Sequence, residues 1–265
     1  MRSTSGRSRT TKTRNVEATK EEPGEKPAAT RPEAAPARRR TGSLKVRRGY
    51  AGRSAEQLRE ERKRRLLDAA LTLFAERGFA KTPIELLCAQ ARVTTRHFYE
   101  QFQGREAVLA VLYQETVSNA RNAVLQALQQ GGQTTQLHMF NAIHAFIRSY
   151  TDDPRRARIA CIEVVGVNEE ISELRRKMIN EFSHVLEAYA LALAKTGTLP
   201  RRDYHLGALC MVGGTNELLT EWLTSKDPPT IAELTEQLLR FYSALFVGAR
   251  ALGPTTPSFD FAGLG

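Results

Sequence analysis

Between residues 55 and 250, apolar residues recur three and four positions apart, the spacing that lines one face of a helix. Leu66, Ala69, Ala70, Leu73 and Phe74 set the first stripe, with Glu60, Arg64 and Asp68 on the opposite face. They predict a helix over about 55–76, stopped by Gly78. The stretch Thr82-Pro83-Ile84-Glu85 then reads as a helix start. Thr82 is the expected cap, Pro83 suits the first turn, and Glu85 completes a capping box. Ile84, Leu87 and Cys88 make a short apolar stripe over about 83–90. Val93 falls in a turn, and Thr94 is the expected cap of a further short helix over about 95–102, with Phe98 and Phe102 on its inner face. Two short helices joined by a three- or four-residue turn form a helix-turn-helix pattern.

The remaining pattern is also helical. Gln103-Gly104-Arg105-Glu106 breaks the short helix and opens a long one running to about Gln129, ended by Gly131-Gly132. Further helices are expected over about 136–150, 155–165, 171–194, 203–223 and 231–249. Their boundaries are turn signals such as Asp152-Asp153-Pro154, Gly197 with Pro200, and Asp227-Pro228-Pro229. No stretch alternates with period two, so the expected fold class is all-α, and there is no internal repeat.

Composition adds a division that periodicity does not show. Residues 1–52 hold 14 Lys/Arg against 5 Asp/Glu, whereas residues 53–265 hold 25 against 24. Nearly all of the net +10 charge thus lies in an N-terminal extension almost devoid of larger aliphatic residues. Such a stretch cannot bury enough apolar surface to offset its ordering entropy, so residues 1–52 are expected to be disordered, as is the tail 253–265. A basic arm on a near-neutral body points to a polyanionic partner, or to a merely solvated tail. Cys88, Cys161 and Cys210 are widely spaced without a metal-binding pattern and read as small apolar residues in a reducing, cytoplasmic setting. Neither a secretion signal nor a run of eighteen apolar residues is visible, so no membrane partner is expected. Nucleophile elbow, phosphate-binding loop and HExxH motifs are absent, which argues against an enzyme and against a cofactor. His184, with Glu181 and Glu187 three residues to either side, reads as a solvated charged face rather than as a metal site.

The stretch from Arg64 to Leu112 resembles the N-terminal domain of TetR-type transcriptional regulators. The correspondence runs through Ala69, Ala70, Leu73, Phe74 and Gly78, then Thr82, then Val93 and Thr94, the aromatic pair Tyr99 and Phe102, and the basic-acidic pair Arg105-Glu106. It departs from the family pattern at Arg92, where the turn usually has Gly, and at Arg96, where the third helix usually has a small residue. The resemblance implies a DNA-binding domain over 55–115 and a helical ligand-binding and dimerisation domain over 116–250. It also implies double-stranded DNA with a palindromic operator, a second copy of the chain, and an unidentified small-molecule effector as partners. Repression relieved by the effector is the family's commoner mode; activation and non-specific, nucleoid-type DNA binding are the alternatives.

In such a motif the second helix enters the major groove with its N-terminal residues at base edges. The expected DNA-binding residues are Thr82, Thr94, Thr95, Arg96, His97, Tyr99 and Arg105, with Tyr99 and Arg105 placed on phosphates by the resemblance. Arg96 is suited to guanine O6 and N7, and Thr to a thymine methyl. Arg38–Arg48 is expected to add phosphate or minor-groove contacts. For the effector, Phe140, His144 and Ile147 share one helical stripe, and Cys161, Met211, Glu217 and Trp222 are further candidates. Gly207 and Gly213-Gly214, inside the expected 203–223 helix, suggest a close helix approach.

Overall fold

The computed structural model describes residues 54–130 and 134–252. The basic arm, the Gly131-Gly132 stop and the C-terminal tail lie outside the described residues. Within them the fold is all-α, with no strand.

Helix α1 spans Ala55–Arg77 and begins at a capping box in which Ser54 and Gln57 exchange hydrogen bonds. It ends at Gly78, whose φ of 87° is a conformation that a side chain disfavours. A 3-10 turn, Phe79–Lys81, leads to α2, Ile84–Ala91. Then come α3, Thr95–Tyr99, and α4, Arg105–Gln129. Helix α5 spans Thr135–Thr151 and α6 spans Pro154–Arg158. A π-helical turn, Ile159–Glu163, follows α6. Helices α7, Glu169–Lys195, α8, His205–Thr224, and α9, Ile231–Ala251, complete the described residues.

The helix starts are encoded locally. Thr94, Thr134, Asp153, Asn168 and Thr230 each accept a backbone N–H with the side chain, satisfying one of the orphan donors of the first turn. Thr82 departs from this expectation. The N-cap of α2 is Pro83, which has no side chain to offer, and no capping box forms with Glu85. Thr82 is fully buried, and its hydroxyl donates to the Gly78 carbonyl at 2.9 Å.

Two other differences concern local geometry. The helix expected over 155–165 is interrupted, because the backbone widens to the π-turn after Arg158. Helix α3 stops at Tyr99, and a turn carries the chain to Phe102, whose N–H still reaches the Phe98 carbonyl at 2.9 Å.

One continuous core runs from Leu66, Phe74 and Phe98 through Leu109 and Val117 on α4 to Ile147, Ile159 and Leu238. Helix α4 therefore belongs to both halves. Its first turns close the helix-turn-helix and its later turns pack against α5 and α7.

Candidate nucleic-acid interface

The helix-turn-helix is held from beneath by apolar side chains. Leu87 of α2 and Phe98 of α3 are fully buried, and Phe102 and Cys88 nearly so. Phe98 meets Phe102 and the edge of Tyr99 at centroid distances of 5.8 and 5.4 Å. Burial raises the Cys88 thiol above its ordinary pKa, a shift that a hydrogen bond with Thr95 partly offsets. Residue 92 turns the chain between the helices with φ 53° and ψ 48°. It is the left-handed position where the family pattern has Gly, and Arg92 alone among the described non-glycine residues has positive φ. The strain, about 1 kcal/mol relative to Gly, leaves a cation at the corner of the motif.

With Phe98 anchored inward, α3 turns Thr95 and Arg96 to solvent. Arg96 lies 3.4 Å from Glu100 across one turn, but its side chain is 87% exposed, so the pair is a solvent-screened one that an approaching anion can replace. His97 has a partner that helical spacing alone did not reveal. Its Nδ1 lies 2.9 Å from Thr94 Oγ1, while its backbone N–H donates to the same oxygen at 3.3 Å. Thr94 thus caps α3 and orients the imidazole. Tyr99 stands 59% exposed beside them. Arg59 of α1 donates to the Glu100 carbonyl at 3.2 Å, tying the end of α3 back to the first helix.

Thr82, expected to bind DNA, is buried, and the half-buried Arg105, expected at a phosphate, turns its guanidinium to the protein backbone. Thr82 has no exposed surface for its hydroxyl to offer. Arg105 Nη1 donates to the carbonyls of Phe79 and Thr82 at 3.2 and 2.9 Å, and the guanidinium lies 4.9 Å from the centre of the Phe79 ring. The start of α4 therefore clamps the turn that opens α2. A second link comes from further along the chain. Glu163, 8% exposed, accepts the Phe79 N–H at 2.7 Å and Arg158 Nε at 3.0 Å.

The other half of the chain encloses a cavity of about 360 Å³ among α4, α5, α7, α8 and α9. Phe146, Phe182, Leu186, Met211, Leu238 and Phe241 form much of its apolar wall, and Arg202 is the single charged residue among the described residues that line it. The Tyr189 hydroxyl is buried there without a hydrogen-bond partner, and burial raises its pKa. The hydroxyls of Thr215 and Tyr242 meet across α8 and α9.

Of the seven expected effector residues only Met211 lines this cavity. The α5 face that does so is Met139, Ala142, Ile143 and Phe146, one residue out of step with the expected stripe Phe140, His144 and Ile147. One residue is about 100° of helical rotation, enough to point Phe140 and His144 outward, where they stack on each other, and to bury Ile147 in the core. Cys161 packs in the π-turn, where burial pushes its thiol up to about 12. Glu217 is exposed, and Trp222 donates its Nε1–H to the Pro229 carbonyl at 3.2 Å. Gly207, Gly213 and Gly214 have no neighbour within 4 Å of a notional Cβ, so the close helix approach expected at these glycines does not occur within the chain.

An all-α chain with an outward-facing, polar recognition helix defines a helix-turn-helix DNA-binding protein. Residues 66–112 match the model of "Bacterial regulatory proteins, tetR family", so this domain is of that type. The uncharacterized HTH-type transcriptional regulator YdgC of Bacillus subtilis is 26% identical over 184 residues, 68% of this chain and 91% of that one. The fold is shared with a putative TetR-family regulator from Syntrophomonas wolfei, at a TM-score of 0.64 and 20% identity, over 71% of this chain and 96% of that structure. It is shared also with the transcriptional regulator FadR from Bacillus subtilis, solved in complex with stearoyl-CoA, at a TM-score of 0.61 and 18% identity, over 67% and 96%. Among the described residues, no helix is long and apolar enough to cross a membrane.

Proposed function

We propose that the chain is a homodimeric, sequence-specific transcriptional regulator, a repressor released when a small apolar ligand enters the cavity among α4, α5, α7, α8 and α9. The observation that carries the DNA part is the presentation of Thr95, Arg96, His97 and Tyr99 on one exposed helix whose opposite side, Phe98, is fully buried. Arg96 and His97 are the base-reading residues, and Tyr99 and the corner cation Arg92 face phosphates. Thr82 and Arg105 act indirectly, by fixing the entry to α2.

Dimerisation is supported by the surface of the last two helices. Leu206 and Leu218 on α8 and Phe241, Leu245 and Val247 on α9 are exposed apolar residues, between 40% and 71% accessible. The open glycines of α8 leave room for a helix of a second copy to approach closely. Two copies related by a two-fold axis would read the two halves of a palindrome.

The ligand reading rests on the cavity's chemistry. An almost wholly apolar wall with one arginine suits an apolar chain bearing an anionic end, and the volume lies in the range of ligand pockets. A long-chain acyl thioester such as the stearoyl-CoA bound by the structurally similar FadR is the first compound to try. Selection of bound sequences from random DNA tests the reading. A palindromic consensus, lost with Arg96→Ala and released by the acyl thioester, is the expected result. Equal binding to all sequences would overturn it.

A further inference from the structure

Three side chains that DNA binding does not use converge where α7 meets α8. His184 and Glu187 lie one turn apart on α7, and His205 opens α8. His184 Nδ1 is 3.0 Å from Glu187 Oε2, and His205 Nδ1 is 3.3 Å from the same oxygen. The imidazole centroids are 5.3 Å apart, and the three potential ligand atoms all lie within 4.8 Å of one another. Sequence spacing would have grouped His184 with Glu181 as well. Glu181 instead faces Arg121 and Lys177, at 3.3 and 3.9 Å. The third group comes from the next helix, 18 residues from Glu187.

The arrangement is held by bonds of its own. The His205 N–H donates to Asp203 Oδ1 at 2.7 Å, and the Tyr204 hydroxyl donates to the Pro200 carbonyl at 2.6 Å, which together fix the first turn of α8. Glu187 is 22% exposed, whereas His184 is 62% exposed, so one side of the cluster is open to water. Around a tetrahedral zinc ion with bonds of about 2.0–2.2 Å, neighbouring ligand atoms stand about 3.3–3.6 Å apart, so the 3.3 Å pair fits as it stands and the 3.0 Å pair after opening by a few tenths of an ångström. Two imidazole nitrogens and one carboxylate oxygen are the donor set of borderline divalent ions, and three protein ligands leave one position for water.

We propose that His184, Glu187 and His205 form a binding site for one zinc-class divalent cation, with both Nδ1 atoms and a Glu187 carboxylate oxygen as ligands. One ion at the centre engages all three groups at once. The bound ion joins α7 to the first turn of α8 and so pins segment 196–204, which supplies Leu199, Arg202 and Tyr204 to the cavity. The site does not depend on the DNA-binding reading.

The test uses the full-length, untagged chain stripped with a chelator, titrated with Zn²⁺ by calorimetry and with Co²⁺ by absorption. One ion per chain is expected, with the visible bands of four-coordinate cobalt and no thiolate charge-transfer band. Glu187→Gln and His205→Ala should each weaken binding by roughly tenfold or more. His184→Ala, at the exposed end of the cluster, should do the same without a folding defect, its far-ultraviolet circular dichroism matching the parent. Zn²⁺ should also slow amide exchange in segment 196–204 of the parent but not of His205→Ala. Lack of saturable binding into the millimolar range overturns the proposal. So does unchanged affinity in all three variants, or a thiolate band placing the ion on a cysteine such as Cys210.

Discussion

The helix-turn-helix and the last two helices treat their apolar residues in opposite ways. In the first, Phe74, Phe79, Phe98 and Phe102 are all buried, and Tyr99 is the one aromatic ring on the surface. In the second, Leu206, Phe241 and Val247 stand 71%, 51% and 64% exposed, and Phe241 also lines the cavity. The first region satisfies its own apolar side chains and offers a polar face. The second presents apolar surface that only another apolar body can cover. On the proposed reading each region displays the chemistry of a different partner, a polyanion at one end and an apolar ligand and a second copy at the other.

The comparison can be broken by removing an aromatic ring from each side. Phe98→Ala should cost about 3–5 kcal/mol in a region that has no slack, and should abolish DNA binding. Phe241→Ala should leave the single chain near its original stability yet shift the chain toward monomer in sedimentation. Equal losses of stability in the two variants, measured by denaturant titration, would refute the contrast. Arg96→Ala sharpens it at the recognition face. The expected loss is about 1–3 kcal/mol of discrimination between operator and random DNA, since that is the scale of one good base contact. Its stability should change by less than about 0.5 kcal/mol, because the exposed Glu100 pair contributes little. An unaltered operator affinity would remove α3 as the reading helix.

Two smaller effects probe the joints. Asp153 caps α6 and pairs with Arg155 and Arg156, and the hydrogen bond from Arg155 holds its carboxyl below the usual range. A carboxyl depressed in the folded state stabilises above its unfolded pKa, and that stability is lost as the pH falls through the folded value. Asp153→Ala should therefore cost about 1 kcal/mol at neutral pH, a difference from the parent that shrinks below about pH 4. A difference that stays constant down to pH 2 would exclude this origin. Arg92→Gly should raise stability by up to about 1 kcal/mol by relieving the positive φ, while weakening DNA binding through loss of a cation. A fall in thermal midpoint would contradict this account of the turn.

What the sequence disclosed divides along the same line. Helix boundaries marked by a capping side chain or a breaker, such as Thr94 or Asp153-Pro154, were legible because their determinants lie within four residues. Thr82 was misleading for the same reason. Its hydroxyl suits a cap, but its burial is set by Leu73 and Gly78, which local spacing does not weigh. The cavity was legible only as a region. Which stripe of α5 faces it depends on how α7 and α9 pack, and a rotation of one residue separates Phe146 from Ile147. Arg105 was legible through the family resemblance as half of a basic-acidic pair, but its carbonyl partners are 23 and 26 residues away and left no local signal. His205 was missed as a companion of His184 because only the α7–α8 turn brings them together.

The Glu163 carboxylate joins the π-turn to the turn ahead of α2 through a single hydrogen bond to the Phe79 N–H, with Arg105 gripping the same turn from α4. In mechanical terms this makes the entry to α2 a bearing carried by two struts. One strut is rooted in α4, and the other in a stretch of backbone already wound looser than an α-helix. A small rewinding of residues 159–163 toward α-helical pitch would lengthen the second strut alone.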